Sequence, residues 1–541
     1  MKFRNLETTE IWNKFEKIKD QHRQVNLNSK TEKCIDFFNG RQWRGIARYN
    51  EDELVSMNII QPIVKYKTAM VAQQDMAIIY SPMNTENTKY YQGICDKLNS
   101  YTAQLWERLK MYTMIWKIVQ DACISGDSYL YFYDGNSLNM QIIDNINIFL
   151  ADEQQDDIQK QPYIIIYERR NVADVRKEAE QNGVSKEVIE NILSDDDTDN
   201  LLSDAKIEVK NETNGKCSCL LMLSKNKDGI ITVTRSTKTV VYQNETPIFS
   251  QSEDGNRSVA LKVYPIVNFI WQRKKGSARG IGEVEQLIPN QIAINKNLVR
   301  IEEAVKLFAF PRLAVNTLKI ANTSNLDSVG SIIEVNDKTV QSVKDVVDYL
   351  APQQLSTDAY KLGDELINTT MKLKNSGDAA LGNIDPTKAS GTAIMAVRDQ
   401  SAIPLNEQIA TLKQFIEDIA LILYQLLMVY NPQGIEIPTG EYDEAGNEIV
   451  EIVPSEVLQE MKINIKIDVL PNDPYTIYAK QQALDNFLTS QFITFDEYVS
   501  ALDNNAPISK GKLEEILNRR KIVQEQQMQM QGGMQNAMQI M

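Results

Sequence analysis

The chain has 541 residues, 43% hydrophobic and 24% charged, with a formal net charge of −15, which is enough for more than one folded core and ordinary for a folded protein. One histidine (His22) and five scattered cysteines argue against a histidine-based triad, a zinc site and a disulfide framework. The acidic balance argues against nonspecific coating of nucleic acid, which needs cations to neutralise phosphates.

In chain order, residues 6–23 place Ile11, Trp12, Phe15 and Ile18 at helical spacing. A short segment around Cys34–Trp43 follows. Asn58-Ile59-Ile60-Gln61-Pro62 opens a helix expected to run to about residue 78, and residues 87–122 read as one long amphipathic helix ending near Ser125-Gly126-Asp127. Ser128–Phe132, Met140–Leu150 and Tyr163–Tyr167 read as strands, rich in Ile and Tyr. Residues 171–205 are acidic and helical with a loop, and strands are expected at 217–223, 230–243 and 259–271. Cys217 and Cys219 fall on one face of such a strand, a packed pattern in preference to half a metal site.

From Arg273 the pattern is helical again. Ile294, Leu298, Ile301, Val305 and Phe308 step by four and three along 281–308. A segment of small residues at 309–345 holds a strand candidate at 331–335, and a second helix covers 353–374. A third starts at Ser390-Gly391-Thr392, carries Leu405, Ile409, Leu412, Ile416, Ile419, Leu423 and Leu426 as a stripe, and should kink at Pro404. Ile463, Ile465, Ile467 and Val469 alternate as a half-buried strand. The last ~65 residues are helical with a Gln- and Met-rich tail. The expected fold class is α+β, predominantly helical.

Recognisable catalytic chemistry is missing from the sequence. No Gly-x-x-x-x-Gly-Lys-Ser/Thr loop is present, and Gly276–Gly282 reads as a flexible helix entrance. Asp195, Asp197 and Asp199 imitate the start of a calcium loop, but the sixth position is Asn200 and the twelfth Lys206. No apolar run approaches the ~18 residues that span a bilayer. Met1-Lys2-Phe3-Arg4-Asn5 lacks the apolar stretch of a secretory leader, so folding in a cytoplasm is expected. Between residues 273 and 312, eight Lys or Arg stand against four Glu, a basic stretch suited to a solvated face or to an anionic partner.

Five motifs occur in order: Phe38-Asn39-Gly40-Arg41-Gln42-Trp43; Asn58 to Val64; Ser125-Gly126-Asp127-Ser128-Tyr129; Gly282 to Gln291 with Asn295 beyond it; and Ser390-Gly391-Thr392-Ala393-Ile394. Together, over roughly residues 30–480, they resemble the portal proteins of tailed bacteriophages, the head-to-tail connector ring. The resemblance implies a subunit with wing, stem, clip and crown. The wing would be 1–272, joined by the long kinked helix and strands of 390–470. The first stem helix would be 273–308, the clip 309–352, the second stem helix 353–375, the tunnel loop 376–389, and the crown with its tail 471–541.

It further implies a closed ring, typically of twelve copies, at one capsid vertex of the virion. Such a ring passes double-stranded DNA during packaging and ejection, and it docks the terminase large subunit, the major capsid protein and the neck adaptor. Neither a membrane nor a cofactor enters this picture, and the chain would not itself be an enzyme. An acidic channel would not hold sliding DNA, while Lys372, Lys374 and Lys388, flanking the tunnel loop, would make brief contacts to it. Another virion structural protein, an adaptor or capsid component, is the alternative. A metal-dependent nuclease built on scattered carboxylates ranks behind it, and a motor is disfavoured by the absent phosphate loop.

Overall fold

A computed structural model describes residues 6–44, 55–83, 87–134, 138–197, 201–202, 215–251, 258–309, 313–319, 346–349, 357–374, 403–442, 448–470 and 474–502, with isolated positions at 335, 342, 512, 513 and 516. The chain divides into two units, residues 1–71 with 80–465 and residues 72–79 with 466–541. The fold is α+β.

Helices α1 (Leu6–Gln24), α2 (Leu27–Phe38) and α3 (Ile60–Ala72) begin the chain, followed by strand β1 (Asp75–Pro82). The helix expected to reach residue 78 therefore stops six residues early. Met76 and Tyr80 are buried while Ala77 between them is exposed, the inside-outside alternation of a strand, and β1 pairs with a strand from residues 463–470. The long helix expected over 87–122 is two helices, α4 (Thr88–Arg108) and α5 (Met111–Ser125). Lys110 between them takes a left-handed backbone, φ 53°, which ends one helix and re-aims the next.

Strands β2 (Asp127–Asp134), β3 (Leu138–Ile143), β4 (Ile148–Leu150) and β5 (Tyr163–Asn171) follow, then helices α6 (Val172–Gln181) and α7 (Lys186–Ile189). Next come β6 (Lys216–Lys225), β7 (Ile231–Thr237), β8 (Val241–Pro247), β9 (Phe249–Gln251), β10 (Ser258–Ala260) and β11 (Ile266–Ile270). Three stretches expected as single strands, 140–150, 230–243 and 259–271, are each two strands. Strands β4 to β8 form an antiparallel meander in sequence order. Strand β2 lies between β11 and β3 in a second sheet.

The meander is covered on both faces, which is why β6 is buried along most of its length. On one face lies α1: Ile11, Trp12, Phe15 and Ile18, the residues at helical spacing, pack on Phe149, Ile165, Tyr167, Leu220 and Met222. Burying each such side chain contributes about 1.5–3 kcal/mol, and Trp12 Nε1 also donates to the Thr237 carbonyl at 2.8 Å. On the other face α6 and α7 cover Cys217, Cys219 and Tyr242. The two thiols do share a face, with Sγ atoms 3.8 Å apart.

The remaining elements are α8 (Glu283–Ala309), β12 (Leu313–Val315), β13 (Val347–Tyr349), α9 (Thr357–Leu373), α10 (Asn406–Tyr430), β14 (Ile435–Tyr442), β15 (Glu448–Val453), α11 (Ser455–Glu460) and β16 (Ile463–Leu470). The α10 stripe is mostly the core the spacing predicts: Leu405, Leu412, Ile416, Ile419, Leu423 and Leu426 are buried while Ile409 is half-buried, and Phe415 meets Phe269 of β11 edge to face. Pro404 sits in a 3-10 turn, Ile403–Leu405, that leads into α10; the sequence expected as helix before it lies outside the described residues. In the second unit, α12 (Pro474–Thr489) and α13 (Phe495–Ala501) pack through Leu484, Leu488, Tyr498 and Val499. There Thr494 and Glu497 form a capping box.

Candidate functional site

Helices α8 and α9 run antiparallel. Glu283 faces Lys374, Asn290 faces Thr370, and Gly363 lies against Asn297. Strands β12 and β13 continue the pairing beyond them, Leu313 opposite Tyr349 and Val315 opposite Val347. Residues 283–374 thus contain a helical hairpin capped by a short ribbon. The strand candidate at 331–335 lies outside the described residues except Val335.

Four of the five sequence motifs meet at the base of this hairpin. The buried amide of Gln291 on α8 accepts from the Ile59 backbone N–H at 3.1 Å and donates to the Met57 carbonyl at 2.7 Å. It also donates to Asn295 at 2.8 Å, and Asn295 in turn donates to Gln42 Oε1 at 2.5 Å. Gln42 donates to the Phe37 carbonyl at 3.2 Å. Asn58 caps α3 by accepting from the Ile60 and Gln61 amides, while its own amide donates to the Phe38 carbonyl. One chain of amides ties residues 37–43 and 57–61 to the third and fourth turns of α8.

The third motif arrives by a backbone crossing. Gly126 (φ 111°) and the Gly280-Ile281-Gly282 strand of chain pass so closely that a β-carbon on Gly126 would stand 2.6 Å from the Gly280 carbonyl oxygen. One on Gly282 would stand 2.5 Å from the Ile124 carbonyl oxygen. Only glycine fits such an approach. The Gly-rich segment is therefore held down where a flexible entrance was expected: Ala278 N–H donates to the Glu153 carbonyl at 2.8 Å, and Arg273 bridges Gly280.

Arg279, between Gly276 and Gly280, is the largest departure from the sequence reading. It belongs to the basic stretch expected on a solvated surface, yet its side chain is only 9% exposed. All five of its N–H donors have acceptors. Nε donates to Glu153 Oε2 at 3.0 Å, and Nη1 to the Asn145 carbonyl at 2.8 Å and Asp127 Oδ2 at 3.2 Å. Nη2 donates to the Ile148 carbonyl at 2.8 Å and to Glu153 Oε1 at 2.9 Å. A guanidinium is the one side chain whose planar fork can serve so many acceptors at once. His22 Nε2 stands 2.9 Å from Glu153 Oε1 and 3.1 Å from Arg279 Nη2.

Burial works to raise the Glu153 carboxyl, but the Arg279 charge and the His22 and Arg279 hydrogen bonds overcome it and hold the group at about 2. For Asp127 burial wins, and its carboxyl is raised despite Arg279. Burial also lowers His22, with Arg279 adding to the effect and Glu153 opposing it.

A second ion cluster lies one turn further. Glu283 Oε1, 8% exposed in its side chain, takes Lys67 of α3 at 2.9 Å and Lys374 at 2.8 Å. Burial would raise this carboxyl, and the two ammonium groups instead hold it low. Lys374 also donates to Gln286 at 2.6 Å. Of the three lysines singled out in the sequence, Lys374 is thus committed to the hairpin base, Lys372 is exposed on the last turn of α9, and Lys388 lies outside the described residues. Elsewhere in the basic stretch Arg273 pairs with Asp156, Lys306 pairs with Glu302, and Lys296 and Arg300 are exposed.

Two of the calcium-like aspartates serve another purpose, and the third, Asp199, lies outside the described residues. Asp195 accepts from the Ser218 amide at 2.7 Å and pairs with Arg169 at 3.1 Å, and Asp197 takes Lys238 at 2.7 Å. Among the described residues no three His, Cys, Asp or Glu side chains are grouped to hold a metal ion, and no helix is long and apolar enough to cross a membrane. The convergence at the hairpin base gives the site a mechanical character: it fixes two helices against the body. No family model matches the chain, and the search of curated proteins finds no relative for it.

Proposed function

We propose that the chain is a portal subunit of a tailed bacteriophage. The observation that carries this reading is the convergence of four motifs, spread over more than 250 residues, on the base of one antiparallel helical hairpin. On this reading α8 and α9 are the stem, the ribbon of β12 and β13 belongs to the clip, and the sheets with α10 are the wing. The unit holding α12 and α13 is the crown. The tunnel-loop segment, 376–389, lies outside the described residues.

The reading also accounts for the apolar stripe of α8. Ile294 is buried, Leu298 and Ile301 are half-buried, and Val305 is 48% exposed. On α9, Leu362 and Leu373 are exposed. A single copy leaves Val305, Leu362 and Leu373 in water, and neighbours in a ring would cover them. The ring, typically of twelve, would sit at the portal vertex of the virion and pass double-stranded DNA. It would dock the terminase large subunit, then the neck adaptor, within the shell of major capsid protein, with no enzymatic step of its own.

Electron microscopy of the purified full chain tests the proposal. Rings with an axial channel are expected. Particles without a channel would overturn it, and cleavage of added DNA dependent on magnesium or manganese would favour the nuclease alternative.

A further inference from the structure

The only histidine in 541 residues lies in the last turn of α1, against a guanidinium whose donors are already saturated. Because Arg279 needs nothing from it, the neutral imidazole is best accommodated with its proton on Nε2, donated to Glu153 Oε1. A second proton on the ring would place a cation 3.1 Å from Arg279 Nη2, in a side chain only 5% exposed. Phe149 stacks on the ring at 4.7 Å and 18° and offers no counter-charge. The route for a proton is open, since His22, Asp127, Glu153 and Arg279 all line one cavity of about 650 Å³.

We propose that His22 is an acid-sensitive clasp: protonation expels the imidazole from the Arg279 cluster and releases the end of α1 from the base of the helical hairpin.

The groups facing the ring decide the sign. Glu153, from the loop after β4, favours the charged imidazole. Arg279, from the segment before α8, opposes it at similar distance. Asp127 of β2 also favours the charged imidazole, more weakly than Glu153, and Tyr129 of β2 lies under the Arg279 guanidinium. Lys30, Lys274, Asp152 and Glu285 line the same cavity, two cations and two anions that leave the sign to the closer groups. Folded His22 is lowered relative to its free value of 6.5. The unfolded or released form therefore binds the extra proton, and the clasp is fully present above pH ~6.5 and weakens as pH falls through that value.

The inference does not depend on the portal reading. Two measurements on the full chain test it. Exchange of the His22 ring Cε1 proton, followed by mass spectrometry against pH, should give a midpoint below that of a free histidine. A midpoint at or above it would overturn the proposal. Amide exchange over residues 15–24 at pH ~5.5, corrected for intrinsic rate and compared with pH ~7.5, should rise by about tenfold in the native chain and stay flat in His22→Gln, whose amide still donates to Glu153. The same rise in the variant, or none in the native chain, would also overturn it; should His22→Gln not fold, the ring-proton midpoint decides alone.

Discussion

The first turns of α8 and the rest of the same hairpin contrast in how their surfaces are satisfied. At the base, Val284, Leu287, Gln291 and Asn295 are buried, and both the amides and the ions there have partners within the chain. Further along, Val305 stands 48% and, on α9, Leu362 51% exposed. The base is specified by contacts within its own chain. The outer surface carries apolar residues that the chain itself does not use, and on the portal reading that difference separates what folds the chain from what it would use to assemble.

Four variants break or sharpen the contrast. Arg279→Met should have the largest effect, because it leaves the buried Asp127 and the half-buried Glu153 without their cation, at a cost of about 3–5 kcal/mol. Arg279→Lys should not rescue it, since an ammonium has three donors where five acceptor contacts must be met. Thermal melting of the purified variants reads both. Gly280→Ala comes next: its β-carbon meets the Gly126 backbone, which cannot rotate away as a side chain would, and about 1–3 kcal/mol should be lost. Val305→Ser with Leu362→Ser is the smallest, within about 0.5 kcal/mol in the melting of the single chain. On the portal reading the same pair weakens assembly, read by sedimentation at equal concentration.

Much of the base was legible as motifs and little of it as contacts. Gln42, Asn58, Gln291 and Asn295 stood out in sequence as members of separate segments. Their meeting depends on tertiary geometry that no local pattern encodes. The α1 and α10 stripes were fully legible, because burial of one helical face writes its own period. Arg279 was misread because a lysine- and arginine-rich stretch looks alike whether solvated or buried; its flanking glycines, Gly276, Gly280 and Gly282, were the available signal that backbone passes closely there. The break at Lys110 had no signal, since nothing in its sequence favours a left-handed residue. Strand β1 was missed because Met76 to Tyr80 is apolar at nearly every position and too short to show a period.

The mass of the purified full chain in solution tests the portal reading most directly. A closed ring of about twelve copies of the 61.6 kDa chain, on the order of 740 kDa, is predicted. A single chain at every concentration assayed, or open-ended filaments, would contradict it.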